Sequence, residues 1–386
     1  MDVFLVGYLH KNGGGVERYI SNLLTYLPEF NINVYLIGYH DNKNEINRNI
    51  AAKNIINITN DPDNRWKYIL NLILKTPLIV RRYKINSKRD IILHFHRSED
   101  VFPFILFSKN TPKVLTLHGK LPINVVMKHN KIVYKAYEIV EKFVFKKLIN
   151  QNSIIYAVDK DTKKFYVSRY PELSDKIMVI PTGVDTTLFK PLDKIIVRKK
   201  YGLDTDFKVI AYVGRLEKEK NVECIINAFS IIKDKLKNTK LIIVGDGREK
   251  TNLLQLIENK HLKLNHDVYL LGSVEHKKIP EILSCADVLV LCSLYEGSPT
   301  IIKESLACGT PVVSTNVGDV SYFVNSTNGR ISSNNIHSLV ESIVDVLSIA
   351  NCVKIKRKVR KISLKKVDII HTIKKIVQKV YAPLCS

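Results

Sequence analysis

The sequence predicts an α/β protein built from two doubly wound units, each with a parallel sheet. Three observations carry that expectation. Apolar, β-branched runs of strand length alternate with longer helical patterns along most of the chain. These runs are apolar on both faces, as in sheets covered by helices on either side. The alternation pauses at a polar, proline-containing segment, FKPLDKIIVRKKYGLDTD, and then begins again.

Taken in order, the first unit opens as strand, glycine loop and helix in VFLVGYL, HKNGGG and VERYISNLLTYL. NVYLIGY, IILHFH, KVLTLHG, SIIYAV and KIMVIPTG continue it as strands. The second unit runs through VIAYVGRL, a helix from about Asn221, KLIIVGDG, another helix, DVYLLGSV, ADVLVLCS and PVVSTNVG. The expected domains are 1–190 and 191–364, with a basic helix inside 365–386 set apart from the second. Open parallel sheets bind ligands beyond the C-terminal ends of their strands, so the chemistry is expected there, in a cleft between two such domains.

Composition excludes several classes. The chain has 386 residues, 45% of them hydrophobic, enough for two or three domains. The most apolar run, YILNLILKTPLIV, is interrupted by Asn71, Lys75 and Pro77 and falls short of the ~18 residues a membrane span needs. The start, MDVFLVGYLHK, lacks the basic region and cleavage site of a signal peptide. Six cysteines without a C-x-x-C pair fit a reducing, cytoplasmic setting and argue against a zinc site. The net charge is +23, and residues 65–149 (18 Lys+Arg against 5 Asp+Glu) and 354–386 (11 against 1) account for all of it. A nucleic acid, an anionic membrane or an anionic substrate would each suit that charge, and so would a lysine-rich proteome.

Four polar clusters follow strands. Gly13-Gly14-Gly15 opens the first helix, where amides meet anions, although such a turn also serves packing alone. Gly214-Arg215-Leu216 with Lys220 places two cations where a diphosphate could be neutralised. Gly245-Asp246-Gly247 is a tight turn, either ligand-directed or an ordinary βα connection. In YEGSPTIIKESLACGTPVVST, Glu296 precedes a helix starting at Ser298 or Pro299, and Glu304 falls in its second turn. Both carboxylates can accept paired hydroxyls of a sugar or ribose, and amides of Gly297 to Thr300 suit an anion. In the first unit His118 ends a strand and is a candidate acid, base or hydrogen-bond group. His94 and His96 share one side of the sheet, His94 as a packed residue.

Together GGGVER, TLHG, IPTGVD, VGRLEKEKN, LIIVGDG, LSCADVLVLCSLYEG and KESLACGTPVVST resemble the retaining family 4 glycosyltransferases, over residues 1 to about 330 and in the family's order. The resemblance implies the GT-B fold, with two Rossmann-like domains facing a central cleft. It also implies transfer from a UDP-, GDP- or other nucleotide-diphosphate sugar with retained configuration, with no cofactor or metal required. By that resemblance Arg215 and Lys220 hold the diphosphate, Glu296 contacts the transferred sugar and Glu304 the ribose. Gly297, Ser298, Pro299 and Thr300 help hold phosphate and sugar, and Val274 borders the base. Gly214, Gly245 and Gly247 belong to the donor loops. His118 meets the reacting sugar, and Gly14 and Gly15 approach the diphosphate or acceptor.

Thr182, Asn221, Ser298-Pro299 and Asp319 depart from the family pattern and leave the donor sugar open. Asp204-Thr205-Asp206, the one carboxylate pair like a metal motif, reads as a turn in the interdomain linker. Alternatives are a non-catalytic partner subunit of the same fold, or a GT-B sugar-nucleotide epimerase or phosphorylase.

The acceptor expected is a lipid-linked or glycan hydroxyl, at the cytoplasmic face of a membrane touched peripherally through residues 65–149 and 354–386. As a helix, residues 131–149 put Lys131, Lys135, Lys142 and Lys146 on one side with Phe145 among them, a pattern suited to an anionic bilayer. Crossing of the last helix back to the first domain would gather both basic segments on one lobe. Nucleic acid is not expected, because no reader motif accompanies the charge.

Overall fold

Thirteen apolar runs pair in parallel in the computed structural model, which describes residues 1–9, 14–40, 54–59, 61, 64–86, 90–119, 131–349 and 353–385. The chain forms two units, Met1–Thr182 with Thr372–Ser386, and Gly183–His371. Gly13 lies outside the described residues.

In the first unit, β1 (Asp2–Leu9), β2 (Asn33–His40), β3 (Ile55–Asn57), β4 (Ile91–Phe95), β5 (Lys113–Leu117), β6 (Ser153–Ala157) and β7 (Ile177–Val179) form a sheet in the order 3-2-1-4-5-6-7. Every described pairing is parallel, with Val3 between Val34 and Ile92. This is the doubly wound order, whose direction reverses between β1 and β4. The helices are α1 (Gly15–Tyr26), α2 (Arg65–Arg82), α3 (Ser98–Phe107), α4 (Lys131–Ile149) and α5 (Lys160–Arg169). Local chemistry starts two of them. Asn64 Oδ1 accepts the Lys67 N–H at 3.0 Å before α2, and Asp159 Oδ1 accepts the Thr162 N–H at 2.7 Å before α5. One sheet face is closed by Tyr68 and Leu72 of α2, Phe104 of α3 and Val144 of α4, packed on Phe4, Leu93 and Leu115.

Helix α4 corrects one expectation. Phe145 does not stand among lysines on the surface; it is fully buried, edge-on to Tyr166 at 5.6 Å and tilted on Tyr170 at 5.0 Å. Glu141, Phe145 and Leu148 recur at helical spacing and are all buried, so the inward stripe runs through them. The Glu141 carboxylate is satisfied there by the hydroxyls of Tyr170 at 2.8 Å and Ser98 at 3.2 Å.

The second unit repeats the winding with six strands, β8 (Lys208–Val213), β9 (Thr239–Val244), β10 (Val268–Gly272), β11 (Val288–Leu291), β12 (Val312–Thr315) and β13 (Gly329–Ser332), in the order 10-9-8-11-12-13. Its helices are α6 (Lys194–Lys200), α7 (Val222–Lys235), α8 (Lys250–Asn259), α9 (Ile279–Cys285), α10 (Thr300–Ala307), α11 (Val320–Phe323), α12 (Ile336–Ile349) and α13 (Val353–Val367), followed by α14 (Ile369–Ile376). The expected linker is built into this unit. Arg198 of α6, wholly buried, pairs with Asp287 at 2.8 Å and donates to the carbonyls of Asp204, Thr205 and Phe207. Those bonds make Asp204-Thr205-Asp206 a fastened turn.

The basic tail is also redistributed. Eight of the eleven cations in 354–386 precede Thr372 and so belong to the second unit. Lys356 donates to the carbonyls of Ser284 at 2.9 Å and Ala286 at 2.8 Å, and Arg360 donates to Phe189 at 2.8 Å, Thr186 at 3.1 Å and Ala307. These side chains clasp α13 to its own unit, because buried carbonyls beyond helix ends need donors. The chain rejoins the first unit at Thr372, later than the expected 365. Ile373, Ile376, Val380 and Tyr381 are all fully buried in that last stretch.

Candidate active site

The strand ends of the second unit carry most of the expected residues. The loops after β8 and β9 are laced together: Leu216 donates its N–H to Asp246 O at 2.9 Å, and Glu249 donates to Leu216 O at 2.9 Å. That closeness demands glycine. Gly245 has φ +140°, and a Cβ there would lie 1.8 Å from Gly214 O; one at Gly247 would lie 2.3 Å from Leu216 O. A Cβ on Gly214 would meet the Tyr212 hydroxyl at 2.7 Å. These three glycines are therefore accounted for by the loops themselves.

Gly14 and Gly15 differ. Gly14 caps α1 from extended backbone, and a Cβ would meet only Glu17 Oε2 at 3.6 Å, or at Gly15 nothing within 4 Å. Packing among the described residues does not account for glycine at either position.

Lys220 ends the short turn Lys218–Lys220, and Asn221 turns the chain into α7 with φ +49°. Asparagine tolerates that left-handed conformation, which explains how it replaces the family's usual glycine. The Lys220 ammonium pairs with Glu296 Oε1 at 2.6 Å, and Ser293 Oγ donates to the same oxygen at 2.9 Å. Arg215 is not brought to this pair; it is exposed and bonds Glu219, four residues on, at 3.1 Å.

Glu304 sits in the second turn of α10, 3% exposed, with Oε1 2.9 Å from His276 Nε2. His276 rests edge-on against Phe189, ring centres 5.1 Å apart. Pro299 caps α10, so the helix begins at Thr300. The preceding backbone is held by the loop after β12: Asp319 donates its N–H to Gly297 O at 3.1 Å, and Gly318, φ +56°, would place a Cβ 1.8 Å from the same oxygen. Ser298 Oγ donates to Asp319 Oδ2 at 2.5 Å, while the buried Lys303 ammonium bonds Ser298 Oγ and pairs with Asp319 at 3.4 Å. Asp319, where the family often has a second glycine, thus neutralises a buried lysine. Val274 is half-buried against the core, two residues after Gly272, whose carbonyl accepts the Gly245 N–H at 2.8 Å.

In the first unit the ends of β4 and β5 carry a cluster of aromatic and imidazole rings, with Arg97 beside it. His94 Nδ1 lies 2.7 Å from the Tyr381 hydroxyl and Nε2 2.7 Å from Thr116 Oγ1. Burial lowers its pKa to about 3. His118 Nε2 lies 3.1 Å from His96 Nδ1, and Tyr19 stands edge-on to His118 with centres 4.9 Å apart. Burial first, and the Arg97 guanidinium second, lower the His118 pKa, and the same forces with its histidine neighbours lower that of His96. These rings are neutral near pH 7, so His118 can exchange hydrogen bonds there but does not store a proton.

Sequence reasoning missed His276, Ser293, Lys303 and Tyr381. Lys303, beside Glu304, and Ser293, three residues before Glu296, stood next to motif residues. His276 is 28 positions from Glu304 and Tyr381 is 287 from His94, and no local pattern signals either pairing.

Comparison with known proteins defines the class. Residues 13–188 match the model described as Glycosyltransferase Family 4, and residues 193–362 that described as Glycosyl transferases group 1. An Escherichia coli protein named UDP-Gal:alpha-D-GlcNAc-diphosphoundecaprenol alpha-1,3-galactosyltransferase is 31% identical over 72% of this chain and 72% of its own. The putative teichuronic acid biosynthesis glycosyltransferase TuaC of Bacillus subtilis (strain 168) is 32% identical over 55% of this chain; the match spans about half of that relative, 49%. The crystal structure of Anabaena Alr3699/HepE in complex with UDP superposes with TM-score 0.73 at 17% identity, covering 98% of this chain and 99% of that one. The fold is GT-B, and the chain belongs to the family 4, group 1 glycosyltransferases.

Proposed function

We propose that this chain transfers a sugar, with retention of configuration, from a nucleotide-diphosphate donor to a hydroxyl acceptor. The observation that carries the reading is Lys220 held 2.6 Å from Glu296, directly ahead of α10. A diphosphate leaving group develops negative charge, and fixed cations lower that cost. Lys220 and Arg215 supply the charge, which is why no metal ion or other cofactor is required. In the free protein each cation is balanced by a carboxylate, Glu296 or Glu219. Donor binding replaces those partners: the diphosphate takes the cations, and Glu296 turns to the hydroxyls of the transferred sugar. Glu304, oriented by His276, accepts the ribose hydroxyls, and Val274 borders the base. Gly297, Ser298 and Thr300 bring backbone N–H groups to the phosphate, Pro299 between them having none to offer.

In the reacting step the acceptor oxygen bonds to the anomeric carbon on the face from which diphosphate leaves. The bond from that carbon to the phosphate oxygen breaks, and the acceptor's proton passes to the departing phosphate. No enzymic nucleophile is needed, and neutral His118 serves as a hydrogen-bond group to the sugar. Gly14 and Gly15 keep open backbone for a ligand that must come close.

The acceptor is a lipid-linked or glycan hydroxyl at the cytoplasmic face of a membrane. The E. coli relative, whose name describes a diphosphoundecaprenol-linked acceptor, and the +13 segment at residues 65–149 support this reading.

Calorimetric titration with UDP, GDP, ADP and their sugar conjugates tests the donor half. One nucleotide is expected to bind, and Glu304→Ala to weaken it by about tenfold or more, the loss of charge-assisted bonds to two hydroxyls. Binding of none of them would favour a non-catalytic partner subunit.

A further inference from the structure

Helix α2 shows the surface an interfacial helix shows. Leu70, Leu74 and Leu78 are 57%, 63% and 68% exposed. They recur every fourth residue, so they form one ribbon along the helix. On the other side Tyr68, Leu72, Ile79 and Val80 are buried in the core of the first unit. The helix is thus apolar on two faces, and among the described residues no element buries the outer one. α3, packed beside it, also ends in exposed apolar residues, Leu106 and Phe107. Single exposed leucines are ordinary; an aligned run of them marks a contact surface.

Charge selects the occupant. Between Arg65 and Arg82 there are five Lys or Arg and no Asp or Glu. A second copy of the chain would set cations against cations with no carboxylate on either helix to meet them. An anionic bilayer takes the leucines into the headgroup–acyl boundary and meets Arg81 and Arg82 with phosphates. We infer that the Leu70–Leu74–Leu78 ribbon of α2 is a docking surface for an anionic membrane. This inference deepens the proposed membrane-facing acceptor and moves the contact from α4, where Phe145 is buried, to α2.

The test is flotation of the whole chain with vesicles of phosphatidylcholine alone or mixed with phosphatidylglycerol. Recovery is expected to be about tenfold higher with the anionic vesicles and to fall with salt. The triple variant Leu70→Asn, Leu74→Asn, Leu78→Asn should lose about tenfold of that recovery. Nucleotide titration of the same variant, unchanged from wild type, shows that it has folded. Equal recovery with neutral and anionic lipid overturns the inference, as does a triple variant that floats like wild type. A wild-type dimer that the three substitutions convert to monomer would instead assign the ribbon to a second copy. Vesicle binding without nucleotide binding would remove the transferase reading and leave the surface standing; the reverse would do the opposite.

Discussion

The two sheets share a winding order and differ in what stands at their strand ends. Beyond β8 and β11 the second unit sets out opposed charges, with Lys220 on Glu296 and Arg215 on Glu219. Beyond β4 and β5 the first unit sets out neutral rings, His96 on His118 with Tyr19 against them. The order of strands fixes where a ligand approaches each sheet. It does not fix what that ligand is. Paired charges that a diphosphate can claim suit a donor, whereas neutral imidazoles beside the Arg97 guanidinium offer hydrogen bonds to hydroxyls.

Removing charge from the ionic end should break the contrast most severely. Lys220→Met is expected to lower kcat by about 10²–10³-fold, the loss typical of one donor aimed at developing charge. Rates before and after chelation should agree in both proteins, since the cation is carried by the side chain. A Lys220→Met enzyme of wild-type rate would remove Lys220 from the leaving-group role.

A smaller effect should come from the backbone that presents the carboxylates. Gly318→Ala would put a methyl group 1.8 Å from Gly297 O at a φ of +56°. A loss of about 2 kcal/mol in denaturant unfolding is expected, within the range for backbone strain at special positions. Stability equal to wild type would mean that the loop after β12 shifts freely, and that it does not fix the start of α10.

The neutral end should be read by acid. The folded pKa of His94 is about 3, below the ordinary 6.5, because burial excludes the charged ring. The unfolded chain therefore binds a proton below about pH 6.5 that the folded unit refuses. His94 contributes fully above that pH, and its contribution falls as pH drops towards 3. One unit below 6.5 the loss is about 1.4 kcal/mol. Melting temperatures from pH 7 to 4 should show the decline, and His94→Gln should make it shallower by one histidine's share, since His96 and His118 are lowered in the same way. A wild-type profile flat across that range would mean the ring accepts charge where it sits.

Much of this molecule was legible in advance. Strand runs, their restart after residue 190 and the family resemblance were local patterns, and local patterns survive folding because strand and helix periods are properties of the backbone. Gly245 was legible as a tight turn for the same reason. Helix α4 shows the limit. A 19-residue amphipathic segment admits several inward stripes, and the choice of Phe145 over an outward face was made by Tyr166 and Tyr170, which fold onto it from further along the chain.

What the sequence determined by itself was therefore the class: two doubly wound sheets and a family motif whose glutamates are eight positions apart. What tertiary structure alone decided was partnership. It gave Glu304 to His276, His94 to Tyr381, the basic tail largely to the second unit, and an unburied leucine face to α2. Each of those depends on which distant surface arrives. Hydrogen bonds and burial act over a few ångströms, and positions hundreds of residues apart reach that range only after the chain has folded.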